Sequence, residues 1–146
     1  MASEDTSGIY LDHHATTPVD DRVVDAMEPI LTTDFGNPAS NNNHRAGNTA
    51  KNHVKQARKQ LVSAFNANRT EEIIFTSGAT ESDNLALKGT MRYARKEGEG
   101  NHLITGATEH DAIIDAADAL TDEGFEVTIL PVDEYGMIDP DDVRDA

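Results

Sequence analysis

Apolar residues fall along the chain in two rhythms. Unbroken runs at Ile9-Tyr10-Leu11, Ile73-Ile74-Phe75, Leu103-Ile104-Thr105 and Val127 to Val132 read as strands. Between them, apolar residues recur at three- and four-residue steps: Val23, Met27, Ile30 and Leu31; Ala50, Val54, Ala57, Leu61 and Phe65; Leu87, Met91 and Ala94; Ile113, Ala116, Ala117 and Leu120. Each set lines one face of a helix. Pro29 is expected to end or kink the first helix, and Glu97-Gly98-Glu99-Gly100 to close the third. Asp139 before Pro140 reads as an N-cap with proline at the first helical position, so another helix begins there, and the chain stops within two turns of it. Continuous apolar strands separated by helices imply a parallel sheet covered on both faces, hence an α/β protein.

The organisation is plain. Residues 1–8 read as a flexible tail and residues 9–146 as part of one domain, interrupted by the turn-rich stretch from Phe35 to Ser40 and a polar loop at Asn41-Asn42-Asn43. No internal repeat is visible. The helix beginning at Pro140 and cut short by Ala146 gives the expectation of a truncated domain.

Composition narrows the function classes. With 146 residues, 37% hydrophobic and 27% charged, the chain has the make-up of one globular domain. Twelve Lys and Arg against 27 Asp and Glu give a formal charge of −15, so nucleic acid and anionic membranes are poor partners. Glu109 to Asp145 holds thirteen carboxylates with Arg144 as its one basic residue besides His110. That density reads either as an ordinary solvated surface or, more sharply, as adaptation to high salt, where screening relieves self-repulsion. No apolar run approaches the ~20 residues of a membrane span, and the opening lacks a signal peptide pattern, so a soluble cytoplasmic protein is expected. The absence of Cys excludes a disulfide, a zinc-thiolate site and a cysteine nucleophile within this stretch.

Two places carry candidate chemistry. At Ile74-Phe75-Thr76-Ser77-Gly78-Ala79-Thr80-Glu81 a strand is expected to run through a small-residue turn into a helix. Free backbone N–H groups and the positive end of the helix dipole meet there, which suits an anion such as phosphate, with Ser77 or Thr80 adding a hydroxyl. The alternative is that Thr80 or Ser77 caps the helix while Glu81 supplies first-turn charge, and local pattern alone favours that alternative. The turn is neither a Walker loop nor a dinucleotide fingerprint. The second place is Thr108-Glu109-His110, after the third strand and at the same carboxyl end of the sheet, where open parallel sheets bind ligands. His110 there could stack on a flat ligand or exchange protons with it, although a lone histidine is more often a cap or surface residue. His13, His53 and His102 take that plainer reading, and no histidine cluster has metal-ligand spacing. Asn68-Arg69-Thr70 matches a glycosylation sequon, a frequent chance match.

Four stretches in order resemble the opening of a cysteine desulfurase of the iron-sulfur-cluster assembly type, in the class V branch of pyridoxal-phosphate enzymes. They are Ile9-Tyr10-Leu11-Asp12-His13-His14-Ala15-Thr16-Thr17-Pro18-Val19-Asp20, Phe35-Gly36-Asn37-Pro38-Ala39-Ser40, Phe75-Thr76-Ser77-Gly78-Ala79-Thr80-Glu81-Ser82-Asp83-Asn84-Leu85-Ala86 and Thr108-Glu109-His110. The resemblance implies the N-terminal part of the large domain of a fold-type I transferase, with a mainly parallel sheet between helices. It implies pyridoxal 5'-phosphate as cofactor and L-cysteine as substrate, giving L-alanine and an enzyme persulfide passed to a sulfur-acceptor or scaffold protein. It also implies a homodimer when full length. By motif match, Gly78, Ala79 and Thr80 would hold the cofactor phosphate and His110 would lie over the ring and assist proton transfer. His44 follows the Phe-Gly-Asn-Pro-Ala-Ser motif, but the Asn41–Asn43 run shifts its spacing and no role is assigned to it.

The departures are of one kind. The lysine that links the cofactor, the acidic partner of its ring nitrogen and the nucleophilic cysteine are absent, although the chemistry requires them. None of Lys51, Lys55, Lys59, Lys88 and Lys96 occupies the lysine motif. The expectation is therefore the N-terminal third of a longer enzyme, inactive alone. Two alternatives remain at this point: another class V enzyme, such as a selenocysteine lyase or an aminotransferase, and a non-catalytic acidic α/β module.

The charge generates a first prediction. If the carboxylate density is an adaptation to salt, the melting temperature rises from dilute buffer to molar potassium chloride, because screening weakens repulsion among the carboxylates after Glu109. A melting temperature that is flat or falling across the series contradicts it.

Overall fold

The computed structural model describes residues 8–40 and 44–146; most of the expected tail and the Asn41–Asn43 loop lie outside the described residues. The chain forms two compact units, one up to Ile73 and one from Ile74 onward.

In the first unit, α1 (Asp21–Thr32) begins at Asp20, whose carboxylate accepts from the Arg22 amide and pairs with its guanidinium at 2.8 Å. Pro29 neither ends nor visibly interrupts the element, which runs three residues further. Proline lacks the amide that would donate to the Asp25 carbonyl four residues back, but so near the C-terminus its own carbonyl still accepts from Thr33 and Asp34, at 2.9 and 2.8 Å. The apolar stripe of α1 is present, yet none of its residues is buried. α2 (Arg45–Phe65) is the long amphipathic helix that the spacing from Ala50 to Phe65 predicts. It ends on Asn66 in the left-handed conformation, φ 53°, which asparagine tolerates better than most residues. The preceding loop lies so close to its first turn that a Cβ on Gly36 would stand 2.1 Å from the Ala46 carbonyl oxygen. An Asp34–His53 pair at 2.9 Å ties the same loop to the helix further along.

The two expected strands at Ile9–Leu11 and at residues 73–75 are absent. An apolar run has strand propensity, but a strand exists only when its backbone groups find a ladder. Near Ile9, the Tyr10 hydroxyl reaches the Asp12 and Thr16 carbonyls at 2.8 and 3.0 Å and its ring meets His13 edge-on, which makes a turn in place of a strand. At Ile73 the carbonyl accepts from the Arg58 guanidinium of α2, and a short 3-10 turn at Thr70–Glu72 precedes it.

The second unit realises the α/β pattern. α3 (Ala79–Glu97) ends on Gly98 at φ 75°, and the chain reverses into β1 (His102–Gly106), α4 (Asp111–Asp122), β2 (Glu126–Leu130) and, after a loop, α5 (Pro140–Asp145). β1 and β2 pair in parallel, with Leu103 opposite Val127 and Gly106 opposite Leu130. Met91 of α3, Leu120 of α4 and Phe125 form the core, with Leu87, Leu103 and Val127 packed against it. Both helices therefore cover the sheet face that carries Leu103 and Val127. Asp139 caps α5 with Pro140 at its start, as its sequence predicts.

Polar contacts lock α3 to the end of α4. Arg92 makes a two-pronged contact with the Glu123 carboxylate, 3.0 Å from Nε to Oε2, while Arg95 donates to the Glu123 carbonyl and lies 3.7 Å over the Phe125 ring. The Arg92 hydrogen bond holds Glu123 below its usual value of 4.5. A carboxylate depressed in the folded state contributes stability above its ordinary pKa and loses it as pH falls through the folded value. Denaturant titrations on wild type and Glu123→Gln should therefore show a stability gap at pH 6 to 7 that closes below about pH 4. A gap that persists at low pH would show that the carboxylate charge has no part in it.

Candidate active site

Chain direction places both candidate segments at one end of the sheet. Two parallel strands joined by α4 require that helix to run against them, and the tight reversal at Gly98–Asn101 makes α3 run against β1 as well. The helices are consequently co-directional, as the contact of Met91 with Leu120 and of Arg92 with Glu123 near both C-termini requires. Their N-termini lie at the carboxyl end of β1 and β2, the end at which such sheets bind ligands.

The start of α3 is built without a side-chain N-cap. Gly78 holds the cap position in an extended conformation, and the first helical bond runs from the Ser82 amide to the Gly78 carbonyl at 3.1 Å. The amides of Ala79, Thr80 and Glu81 thus precede the first helical bond and have no partner within the helix. Neither Ser77 nor Thr80 is the cap, contrary to the local sequence pattern. Glu81 takes the binding instead: one carboxylate oxygen accepts from both the amide and the hydroxyl of Ser77, each at 2.6 Å. The Ser77 hydroxyl, and then its amide, hold the Glu81 carboxyl below the usual carboxylate range. A second brace joins Thr76 to Ser82, hydroxyl to hydroxyl at 2.6 Å, and the Ser82 hydroxyl also reaches the Gly78 carbonyl. A Cβ on Gly78 would meet nothing within 4 Å, so space lies open beside the turn. Unused amides, the exposed Thr80 residue and the positive end of a 19-residue helix make a donor set that fits a phosphate dianion.

His110 caps α4. Its Nδ1 accepts from the Ala112 amide at 3.1 Å, so the neutral ring carries its proton on Nε2. The turn before it is pinned to the sheet, the Ala107 amide donating to the Leu130 carbonyl at 2.9 Å and the Glu109 amide to the Gly106 carbonyl at 3.4 Å. The plainer role and the chemical one are compatible: one ring nitrogen serves the helix and the other is left over. The structure gathers Gly78, Ala79 and Thr80 into one turn and sets His110 at the head of the neighbouring helix, without a direct contact between them.

The remaining described histidines with bonded rings have local partners. His13 bonds Thr17, His44 accepts from the Gly47 amide as the cap of α2, His53 pairs with Asp34 and His102 bonds Thr128 across the strands. Among the described residues no group of three or more His, Asp or Glu side chains is arranged to hold a metal, and no helix is long and apolar enough to cross a membrane. Sequence reasoning missed the Glu81–Ser77 bridge. Its signal was available as a glutamate at the third helical position, the place from which a capping-box side chain reaches back.

Comparisons with known proteins cover nearly the whole chain. The aminotransferase class-V family profile matches residues 9–146. The cysteine desulfurase IscS of Neisseria gonorrhoeae is 51% identical over 138 residues, 94% of this chain and 33% of the relative. The mitosomal cysteine desulfurase of Encephalitozoon cuniculi is 52% identical over 142 residues, 96% of this chain and 32% of the relative. A solved structure described as SspA in complex with cysteine superposes with a TM-score of 0.81 at 36% identity, covering 94% of this chain and 38% of that one. The chain thus spans about a third of the length of the curated relatives it matches. With a match running from Ile9 through the turn at Ser77–Thr80 and His110 to the last residue, the chain belongs to the aminotransferase class-V family.

Proposed function

We propose that the protein to which this chain contributes is a pyridoxal-phosphate-dependent cysteine desulfurase. The observation that carries the reading is the open donor set at the head of α3, in a family member about half identical to cysteine desulfurases. In this reading the amides of Ala79 and Thr80 and the Thr80 hydroxyl hold the cofactor phosphate, and Gly78 leaves room for its approach. Bound there, the cofactor supplies an electron sink for charge developing at the α-carbon of an amino acid. His110 would face the cofactor ring and would work through Nε2, since Nδ1 is committed to the Ala112 amide. That nitrogen donates a proton or accepts one at the substrate amine and its α and γ positions.

The overall reaction takes L-cysteine and an enzyme thiol to L-alanine and an enzyme persulfide. The cysteine C–S bond breaks, a sulfur–sulfur bond forms and no external oxidant is needed. This chain has no cysteine, and none of its five lysines matches the family's cofactor-linking motif. The thiol, the linking lysine and the acid facing the ring nitrogen belong to further sequence, so the 146 residues are inactive alone. The complete protein acts as a homodimer in a salt-rich cytoplasm and hands its sulfur to an acceptor or scaffold protein.

His110→Asn in the full-length enzyme is the test, because asparagine keeps an N-cap oxygen while removing the imidazole. Melting temperature and cofactor content should hold while single-turnover alanine release falls by ~10²- to 10⁴-fold. Turnover near wild type would end the catalytic role and leave His110 as a cap.

Thr80→Val should remove one charge-assisted hydrogen bond, worth ~1.5 to 3 kcal/mol. Cofactor affinity then drops roughly ten- to a hundredfold, read by titration of the apoenzyme. Unchanged affinity would remove Thr80 from the cup.

A further inference from the structure

Helix α3 faces a difficulty at its head. A glycine at the cap position gives freedom of approach but fixes nothing, and a flexible turn there would have to be ordered each time an anion bound. Ser77 and Thr80, the obvious caps, do not serve. Instead two side chains from the first turn of the helix reach back across Gly78. Glu81 grips the Ser77 amide and hydroxyl, and Ser82 grips the Thr76 hydroxyl and the Gly78 carbonyl. Both bridges span the glycine, and both leave the amides of Ala79 and Thr80 unoccupied.

We propose that Glu81 is a positioning residue for the cofactor phosphate: its carboxylate holds the Ser77–Gly78 turn in the shape that presents the Ala79 and Thr80 amides, without touching the phosphate itself. The inference rests on the proposed cup and extends it. An anionic side chain beside a dianion's site is costly unless its charge is engaged elsewhere. Here it is engaged, by two donors on a single oxygen, and those donors hold the Glu81 carboxyl below the usual carboxylate range. The arrangement separates two duties that a Ser or Thr cap would have merged. Closing the turn falls to Glu81, and meeting the ligand falls to the free amides and Thr80.

The two duties respond differently to substitution. Glu81→Ala opens the bridge and lets the turn relax. Glu81→Gln keeps an acceptor oxygen for the Ser77 donors and removes the negative charge. A clamp predicts that Gln restores what Ala loses, and that only ligands carrying a phosphate notice either change.

The experiment uses the full-length apoenzyme and measures the dissociation constants of pyridoxal 5'-phosphate and of pyridoxal, which lacks the phosphate, together with the apoenzyme melting temperature. Wild type, Glu81→Ala, Glu81→Gln and Thr80→Val are compared. We expect Glu81→Ala to weaken pyridoxal 5'-phosphate binding about tenfold, the equivalent of one lost hydrogen bond, and to leave pyridoxal binding within about twofold. Glu81→Gln should bind the phosphorylated form at least as tightly as wild type, with an advantage that shrinks as salt rises. Equal losses for both ligands in Glu81→Ala, or no rescue by Gln, would overturn the clamp. If Thr80→Val weakens phosphate-dependent binding while Glu81→Ala does not, the clamp fails and the cup stands. If neither variant alters it, the cup itself is wrong and the clamp falls with it.

Discussion

Parallel pairing of β1 with β2 is the constraint on which the rest of the second unit depends. Two parallel strands cannot be joined by a hairpin, so the chain must cross back through a helix that runs against them. α4 is that crossover, and the short reversal after Gly98 imposes the same direction on α3. Two helix N-termini are delivered to the end of the sheet where the strands finish, that of α3 with free first-turn amides and that of α4 capped by His110. The segment around Gly78 and the segment around His110 both carry Gly-Ala-Thr-Glu, but in the first these residues begin the helix and in the second they form the turn before it. Topology makes them neighbours.

The core enforces this arrangement more than it extends it. Met91, Leu120 and Phe125 meet over Leu103 and Val127, and Arg92 and Arg95 hold Glu123 at the far end of both helices. In α3 the buried residue, Met91, and the ionic contacts lie in the C-terminal half, while the first turn carries exposed polar groups. In α4 burial runs the length of the helix, from Ala112 through Ala116 and Ala117 to Leu120. The head of α3 is the end left open beside the firmly seated α4.

The helices were legible because the 3.6-residue period survives any context: the spacing from Ala50 to Phe65 and from Ile113 to Leu120 places α2 and α4 directly. Strands were legible only where a partner follows closely. β1 and β2 are separated by a single crossover and find one another, whereas Ile9–Leu11 and residues 73–75 have the same apolar look and no ladder among the described residues. Pattern reports what a side chain prefers, and pairing depends on what else the backbone can reach. The same distinction limits the site. The anion-binding character of the turn at Gly78 follows from a helix beginning there, but which side chain closes the turn depends on distances, and Glu81 proved to do what Ser77 or Thr80 was expected to do. For His110 the sequence posed a choice between cap and chemistry that the two nitrogens of the ring remove.

The strong acidity of the chain sharpens the electrostatic question. A protein of charge −15 would repel a dianion at long range. At physiological ionic strength, however, exposed charges are screened beyond about 8 Å, so carboxylates further away than that would matter less to a phosphate at the head of α3 than the groups beside it. In the proposed cup those groups are backbone amides and a threonine, whose fixed dipoles act over the first turn of the helix and cannot be titrated. The nearest sequence carboxylate, Glu81, already spends its charge on two donors of Ser77. A site made from amides lets the surface evolve toward any net charge its surroundings favour, since the attraction at the head of α3 comes from where the helix starts and not from lysines or arginines around it.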